Sequence, residues 1–159
     1  MKTLIVYSSK YGCTADCAKY LSTKLSGETT LADINKATNP VEPDSYDTII
    51  IGGSVYIGKV SKKLREFCES NLHTLTGKRI GIFLCCAQPE QANEFLTANF
   101  PPTLLDKAIT TSVFGSEIRL ENMSFFDKTI IKAVTKGGFS KYKTSTENMD
   151  EFVQKMGMN

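Results

Sequence analysis

The chain has 159 residues, 41% of them apolar, with 11 glycines, 5 cysteines and a net charge of +2. That length and apolar share suffice for one domain over residues 1–159 with a sizeable core, and they exclude a disulfide-braced mini-protein, a collagen-like chain and a disordered one. No apolar run approaches the ~18 residues of a membrane span, and Leu4–Tyr7 gives way to Ser8-Ser9-Lys10 too early for a secretion signal, so a soluble, cytoplasmic protein is expected.

The first predicted element is a strand over Thr3–Tyr7. A helix follows over Thr14–Leu25, with Ala15, Ala18, Leu21 and Leu25 at helical spacing. Strands are predicted at Thr29–Ile34 and Asp47–Gly52, then a helix over Ser61–Leu72 carrying Leu64, Phe67, Cys68 and Leu72. A fourth strand spans Arg79–Cys86, a helix Glu90–Phe100 and a fifth strand Ile109–Gly115. Helices over Ser124–Lys136 and Thr146–Met156 close the chain, and all five prolines fall between elements. Leu4-Ile5-Val6, Ile49-Ile50-Ile51 and Ile80–Leu84 are apolar on successive residues, as in strands covered on both faces of a parallel sheet. Strands alternating with helices of roughly 10–15 residues predict a doubly wound α/β fold. Five strands favour the order 2-1-3-4-5, with ligands bound beyond the carboxyl ends of the strands.

The residues just after each strand therefore carry the functional reading. After strand 1, Ser8-Ser9-Lys10-Tyr11-Gly12-Cys13-Thr14 runs into a helix N-terminus, where unpaired amides and the helix dipole favour an anion. Gly12 lets backbone approach closely, and Ser9 and Thr14 can donate hydroxyls to phosphate oxygens. A plain N-cap, worth about 1 kcal/mol, is the competing reading.

After strand 3, Gly53-x4-Gly58-Lys59 nearly matches a nucleotide-hydrolase phosphate loop. Val60 stands where a hydroxyl would hold Mg²⁺, and no Asp-terminated apolar strand offers a second ligand. The segment instead suits a flat ring: backbone groups for its edge and Tyr56 for its face. A receiver domain is excluded, because Ser8-Ser9 stands in place of an acidic pair after strand 1, and Glu117-Ile118-Arg119 in place of a lysine after strand 5.

The cysteines are odd in number, show no C-x-x-C and no C-x5-R, and have only His73 as a possible imidazole partner. Free thiols, no structural zinc and no thiol phosphatase are expected. Cys85 and Cys86 read as buried small hydrophobes rather than a redox pair.

Taken together, these loops resemble the flavodoxin superfamily. Ser9–Thr14 looks like its FMN-phosphate loop, and Ile51–Gly58, followed by a helix reaching Phe67, resembles its first ring-binding loop. Within the superfamily the chain is most similar to the menaquinone-dependent protoporphyrinogen IX dehydrogenases. The similarity runs through Met1–Ile5 to Gly12-x-Thr14, Tyr46-Asp47 to Gly52 with Ser54 and Gly58, and Phe126-Asp127-Lys128-x-x-Ile131-Lys132-x-x-x-Lys136-x-Gly138. Lys10 stands where plain flavodoxins usually carry a hydroxyl. The stretch from Ala87 to Ala108 is shorter than in that family, and no aromatic lies in Ala87–Gln91 to cover the ring's second face, which is expected to be open.

The resemblance implies an FMN oxidoreductase passing electrons to a quinone. It implies that Ser9, Lys10, Tyr11, Gly12, Cys13 and Thr14 hold the phosphate. Ser54, Val55, Tyr56, Ile57 and Gly58 would line the ring, with Cys86, Ala87 and Gln88 on its other edge and a backbone group near Ile57–Gly58 meeting N5. No side chain is singled out as catalytic. The alternative is a flavodoxin-type carrier of single electrons between proteins.

Charge separates the two readings. Residues 59–65 carry net +4 and residues 119–143 net +4, against −6 over the rest. Both segments follow strands that flank strand 4, so both are expected on the ligand side. Flavodoxin carriers are acidic around the flavin; positive potential there would raise its reduction potential and attract anionic substrates. Arg119, Lys128 and Lys132 are the candidates for meeting the propionates of a porphyrinogen. Lys128, Lys132 and Lys136 form one helical stripe beside Phe125, Phe126, Ile130, Ile131 and Val134. That stripe reads either as the solvated side of a core-facing helix or as a contact with an anionic membrane surface. The aromatics do not interleave with the basic residues as a nucleic-acid motif requires.

Overall fold

A computed structural model describes residues 1–136 and 143–157. Five strands, β1 (Lys2–Ser8), β2 (Glu28–Asp33), β3 (Thr48–Ser54), β4 (Arg79–Cys85) and β5 (Ala108–Val113), form one sheet in the order β2-β1-β3-β4-β5. All four pairings are parallel. The expected order is the observed one.

The successive apolar residues do what their pattern predicts. Leu4, Val6, Ile49, Ile51, Ile80, Ile82 and Leu84 face one core layer, while Ile5, Ile50, Phe83 and Cys85 face the other. Helices α1 (Cys13–Lys24) and α7 (Thr146–Met156) pack on the second layer. There Phe83 stacks on Phe114 at 4.6 Å, and Phe152 meets both rings edge-on. Helices α2 (Lys62–Ser70), α3 (Leu72–Thr76), α4 (Ala92–Asn99) and α5 (Pro102–Lys107) cover the first layer.

Two local departures from expectation have physical causes. The helix expected over Ser61–Leu72 divides at Asn71, whose side-chain amide donates at 2.9 Å to the Phe67 carbonyl that its own backbone N–H already meets at 3.1 Å, a local side-chain bond that ends α2 there. Helix α5 arises in a stretch read only as a break, because Pro102 occupies the first helical position, where its missing N–H costs nothing.

Helix α6 (Phe125–Thr135) is capped by Ser124, whose Oγ accepts from the Asp127 N–H at 3.2 Å. It is not a core-facing helix. Phe125 is 86% and Phe126 72% exposed, and among its described side chains only Thr135 is buried. Gly138, the last position of the family motif, lies outside the described residues. Among the described residues no helix is long and apolar enough to cross a membrane.

Candidate functional site

Strand β1 ends at Ser8, and the chain turns through Gly12 into α1. Gly12 is the N-cap residue, with φ +99°, in the left-handed region that favours glycine. The Ser9 hydroxyl accepts from the amides of Gly12 (3.1 Å) and Ala15 (3.3 Å), closing the loop over the helix end. The Ser8 and Thr14 hydroxyl oxygens are buried and have no hydrogen-bond partner among the described residues. Buried hydroxyls are seldom left unpaired, because desolvation without a partner costs free energy. The hydroxyls of Thr3, Thr29 and Thr48 in the strands are also unpaired, so it is the place of Ser8 and Thr14 beside the N-terminus of α1 that fits a phosphomonoester dianion, which offers acceptors there.

Arg119 belongs to this loop. A Cβ on Gly12 would lie 2.8 Å from Arg119 Nη1, and Arg119 Nη2 is 2.6 Å from Asp16 Oδ2 and 2.8 Å from Glu117 Oε2. Its guanidinium pKa is raised by the hydrogen bonds to Glu117 and Asp16. The arginine sits against the loop after β1 with both acids engaged, and it lines neither of the two cavities described below. The Cys13 thiol also turns inward, its sulfur accepting from the Glu117 N–H at 3.4 Å.

After β3, Tyr56 and Lys59 pair across a tight turn, Tyr56 N–H to Lys59 O at 2.9 Å and Lys59 N–H to Tyr56 O at 3.1 Å. The two central residues, Ile57 (φ +48°) and Gly58 (φ +72°), are both left-handed, as a two-residue hairpin turn of the mirror-image type requires. For a β-branched residue this conformation is strained. Ile57, 69% exposed, is held there at the rim of the site. From behind, the buried Asn99 side chain accepts from the Val60 N–H (3.1 Å) and donates to the carbonyls of Gly58 (2.9 Å) and Phe95 (2.8 Å).

The loop after β4 brings Cys86, Ala87 and Gln88 opposite this turn. Together Val55, Tyr56, Ile57, Gly58, Cys86, Ala87 and Gln88 line a cavity of about 390 Å³, within the usual range for small-molecule sites. Gln91, Phe95, Ile130 and Ile131 complete the lining. Helix α6 thus contributes an aliphatic wall to this cavity, beside the short Ala87–Gln91 loop. A smaller cavity of about 240 Å³ joins the two loops, lined by Ser8, Lys10, Ser54, Tyr56, Lys59, Val60 and Ser61.

Asp127, in the first turn of α6, ties these parts together. Its carboxylate accepts from the phenols of Tyr11 and Tyr56, one from each ligand loop. Lys10 Nζ lies 3.6 Å from Asp127 Oδ2 and 3.2 Å from the centre of the Tyr56 ring. Hydrogen bonds from Tyr11 and Tyr56, with Lys10 adding to them, hold the Asp127 carboxyl at about 2. The hydrogen bond to Asp127 and then desolvation push the Tyr56 phenol up to about 12, and the Tyr11 phenol is raised by desolvation and the same carboxylate.

The basic segments are less concentrated than their sequence suggests. Of the first, Lys59 lines the smaller cavity between the two loops; Lys62 pairs with Glu66 at 3.4 Å, Lys63 donates to the Asn35 carbonyl and lines a groove beside the loop after β2, and Arg65 lines a separate groove with Glu69 and Phe100. Lys128 is half-buried and Lys132 exposed on α6, and neither lines the ring cavity.

Asn99, Phe95, Gln91 and the roles of Asp127, Ile130 and Ile131 are not legible in the loops after the strands. The sequence signals here are the family motif that carries Asp127 and Ile131 and the Ser124-x-x-Asp127 capping spacing, and neither points to tyrosines 116 and 71 residues away.

The family model for the flavodoxin domain matches residues 4–147. Over 144 residues the chain is 24% identical to protoporphyrinogen IX dehydrogenase [quinone] of Escherichia coli strain K12, covering 86% of this chain and 80% of that protein. Oxidised flavodoxin 1 of Bacillus cereus is similar in fold, with TM-score 0.56, 14% identity and coverage of 99% of this chain and 95% of that one. A WrbA-like flavodoxin of Agrobacterium tumefaciens gives TM-score 0.51, 20% identity and coverage of 89% and 99%.

Proposed function

The chain belongs to the flavodoxin domain family, and from that premise we propose that it is an FMN oxidoreductase that oxidises an anionic, largely apolar substrate of the porphyrinogen kind and delivers the electrons to a quinone. The cofactor is FMN, which supplies reversible uptake of electrons by its ring. The chain's own residues bind and orient it. Ser8 and Thr14 would offer hydroxyls and α1 its first-turn amides to the phosphate, while the Tyr56–Lys59 turn and Cys86–Gln88 would border the ring. Burial raises the Cys86 thiol, which therefore stays neutral beside the ring.

One observation carries the reading. Helix α6 walls the ring cavity with Ile130 and Ile131, and the same helix presents exposed Phe125 and Phe126 with Lys128 and Lys132. An apolar and basic platform at a flavin site suits a flat polycarboxylate or a membrane-borne quinone better than the protein partners of an electron carrier. The likeness to the E. coli dehydrogenase supports the same substrate class.

The test is an anaerobic assay of the FMN-bound protein with protoporphyrinogen and a water-soluble quinone. Turnover of both is expected. If neither reacts while the protein exchanges single electrons with a reductase, the carrier reading replaces this one.

A further inference from the structure

Cys13 belongs to the loop after β1, but the FMN reading gives no role to its thiol or to those of Cys17 and Cys85. Cys13 opens α1 and Cys17 follows one turn later, so both project from the same side of the helix. Cys85 ends β4 and faces the same core layer, whereas its neighbour Cys86 faces the opposite one, as strand alternation requires. The three sulfurs lie within 4.8 Å of one another, with Cys85 Sγ 3.7 Å from Cys17 Sγ. All three side chains are buried. Among the described residues no imidazole or carboxylate joins the group.

Cysteine packs well as a small hydrophobe, and a buried pair needs no further account. Three sulfurs in mutual reach, drawn from two elements, form a triangle. A metal bonded to three sulfurs at about 2.3 Å holds them about 4.0 Å apart, which this triangle accommodates with little movement. We propose that Cys13, Cys17 and Cys85 form a three-coordinate thiolate site for a soft closed-shell cation of the Cu(I) class. Soft sulfur ligands select such ions, whereas structural Zn²⁺ requires a fourth ligand that the described shell does not offer. Binding displaces thiol protons to solvent, and no electron is transferred. The remaining negative charge meets the Glu117 N–H that already points at Cys13 Sγ.

The test titrates the purified full chain, thiols reduced and air excluded, with Cu(I) held by a chromogenic chelator. One equivalent is expected to leave the chelator, and X-ray absorption at the copper edge is expected to report three sulfurs and no nitrogen or oxygen. Cys17→Ala and Cys85→Ala should each weaken Cu(I) binding by at least about 100-fold, since loss of a direct ligand exceeds the usual effect of losing an outer-shell partner. Cys68→Ala, a buried thiol in the other core layer, should bind as the parent does. Failure of the parent chain to compete for Cu(I), a nitrogen or oxygen ligand in its spectrum, or Cu(I) affinity in Cys17→Ala and Cys85→Ala unchanged from that of the parent overturns the proposal. The spectrum of the parent chain decides even if a variant does not fold.

Discussion

Thr14 illustrates how a single buried atom reports on a ligand. Its hydroxyl has no partner among the described residues and stands in the first turn of α1. Thr14→Val keeps the shape and removes only the hydroxyl. A lost hydrogen bond to a charged group costs about 1.5–3 kcal/mol, so the FMN dissociation constant should rise roughly 10- to 150-fold. The FMN-free protein should be no less stable in urea, because the mutation deletes a polar group that the fold leaves unpaired. Unchanged FMN affinity by fluorescence titration would remove Thr14 from the phosphate site.

Among elements, α4 and α6 position the ring loop without belonging to it. Asn99 serves the turn through both ends of its amide, accepting from Val60 and donating to Gly58 and Phe95. Asn99→Leu strands a buried N–H and a buried carbonyl, and such groups cost about 1–3 kcal/mol apiece. Asn99→Asp should be the worse of the two, since it retains the acceptor but sets a carboxylate oxygen against two carbonyls. Urea unfolding of both variants checks the order, and FMN affinity should fall with it.

Helix α6 depends on Asp127 in a way that pH reveals. The carboxyl is depressed to about 2 in the folded chain, against about 3.9 when unfolded. Its contribution to docking α6 is therefore complete above the unfolded value and is lost as pH falls through about 2. The Tyr56 phenol is raised to about 12, so its share is complete below its ordinary value near 10 and is lost as pH rises through about 12. In Asp127→Asn, ultraviolet titration should show the Tyr56 phenol ionising closer to 10, and the Tyr11 phenol shifting down with it. Identical alkaline titrations in parent and variant would sever the clamp.

Taken as a whole molecule, the protein places the exposed phenylalanines of its described residues and part of its basic charge on one helix beside the larger loop cavity. If that face meets an anionic membrane where a quinone resides, Phe125→Ser/Phe126→Ser together should reduce sedimentation with vesicles rich in phosphatidylglycerol by at least about tenfold, given ~1.5–3 kcal/mol for burying one such ring. Turnover with a water-soluble quinone should be kept. Equal partition of parent and variant with these vesicles would dismiss the membrane contact.

The sequence alone determined the layered sheet and its order. Strands buried on both faces must be apolar on successive residues, and Leu4–Val6, Ile49–Ile51 and Ile80–Leu84 are so. It also determined where to look, because in a doubly wound sheet the loops after β1, β3 and β4 converge by topology. Only the tertiary structure decided the direction of individual side chains. Arg119 turned to the loop after β1, Lys62 to Glu66, Lys63 to the Asn35 carbonyl, and Cys13, Cys17 and Cys85 toward one another. Local spacing fixes which face of an element a residue occupies. What that face meets is set by partners up to 116 residues distant, as Tyr11 and Asp127 are, and no periodicity encodes a contact of that range.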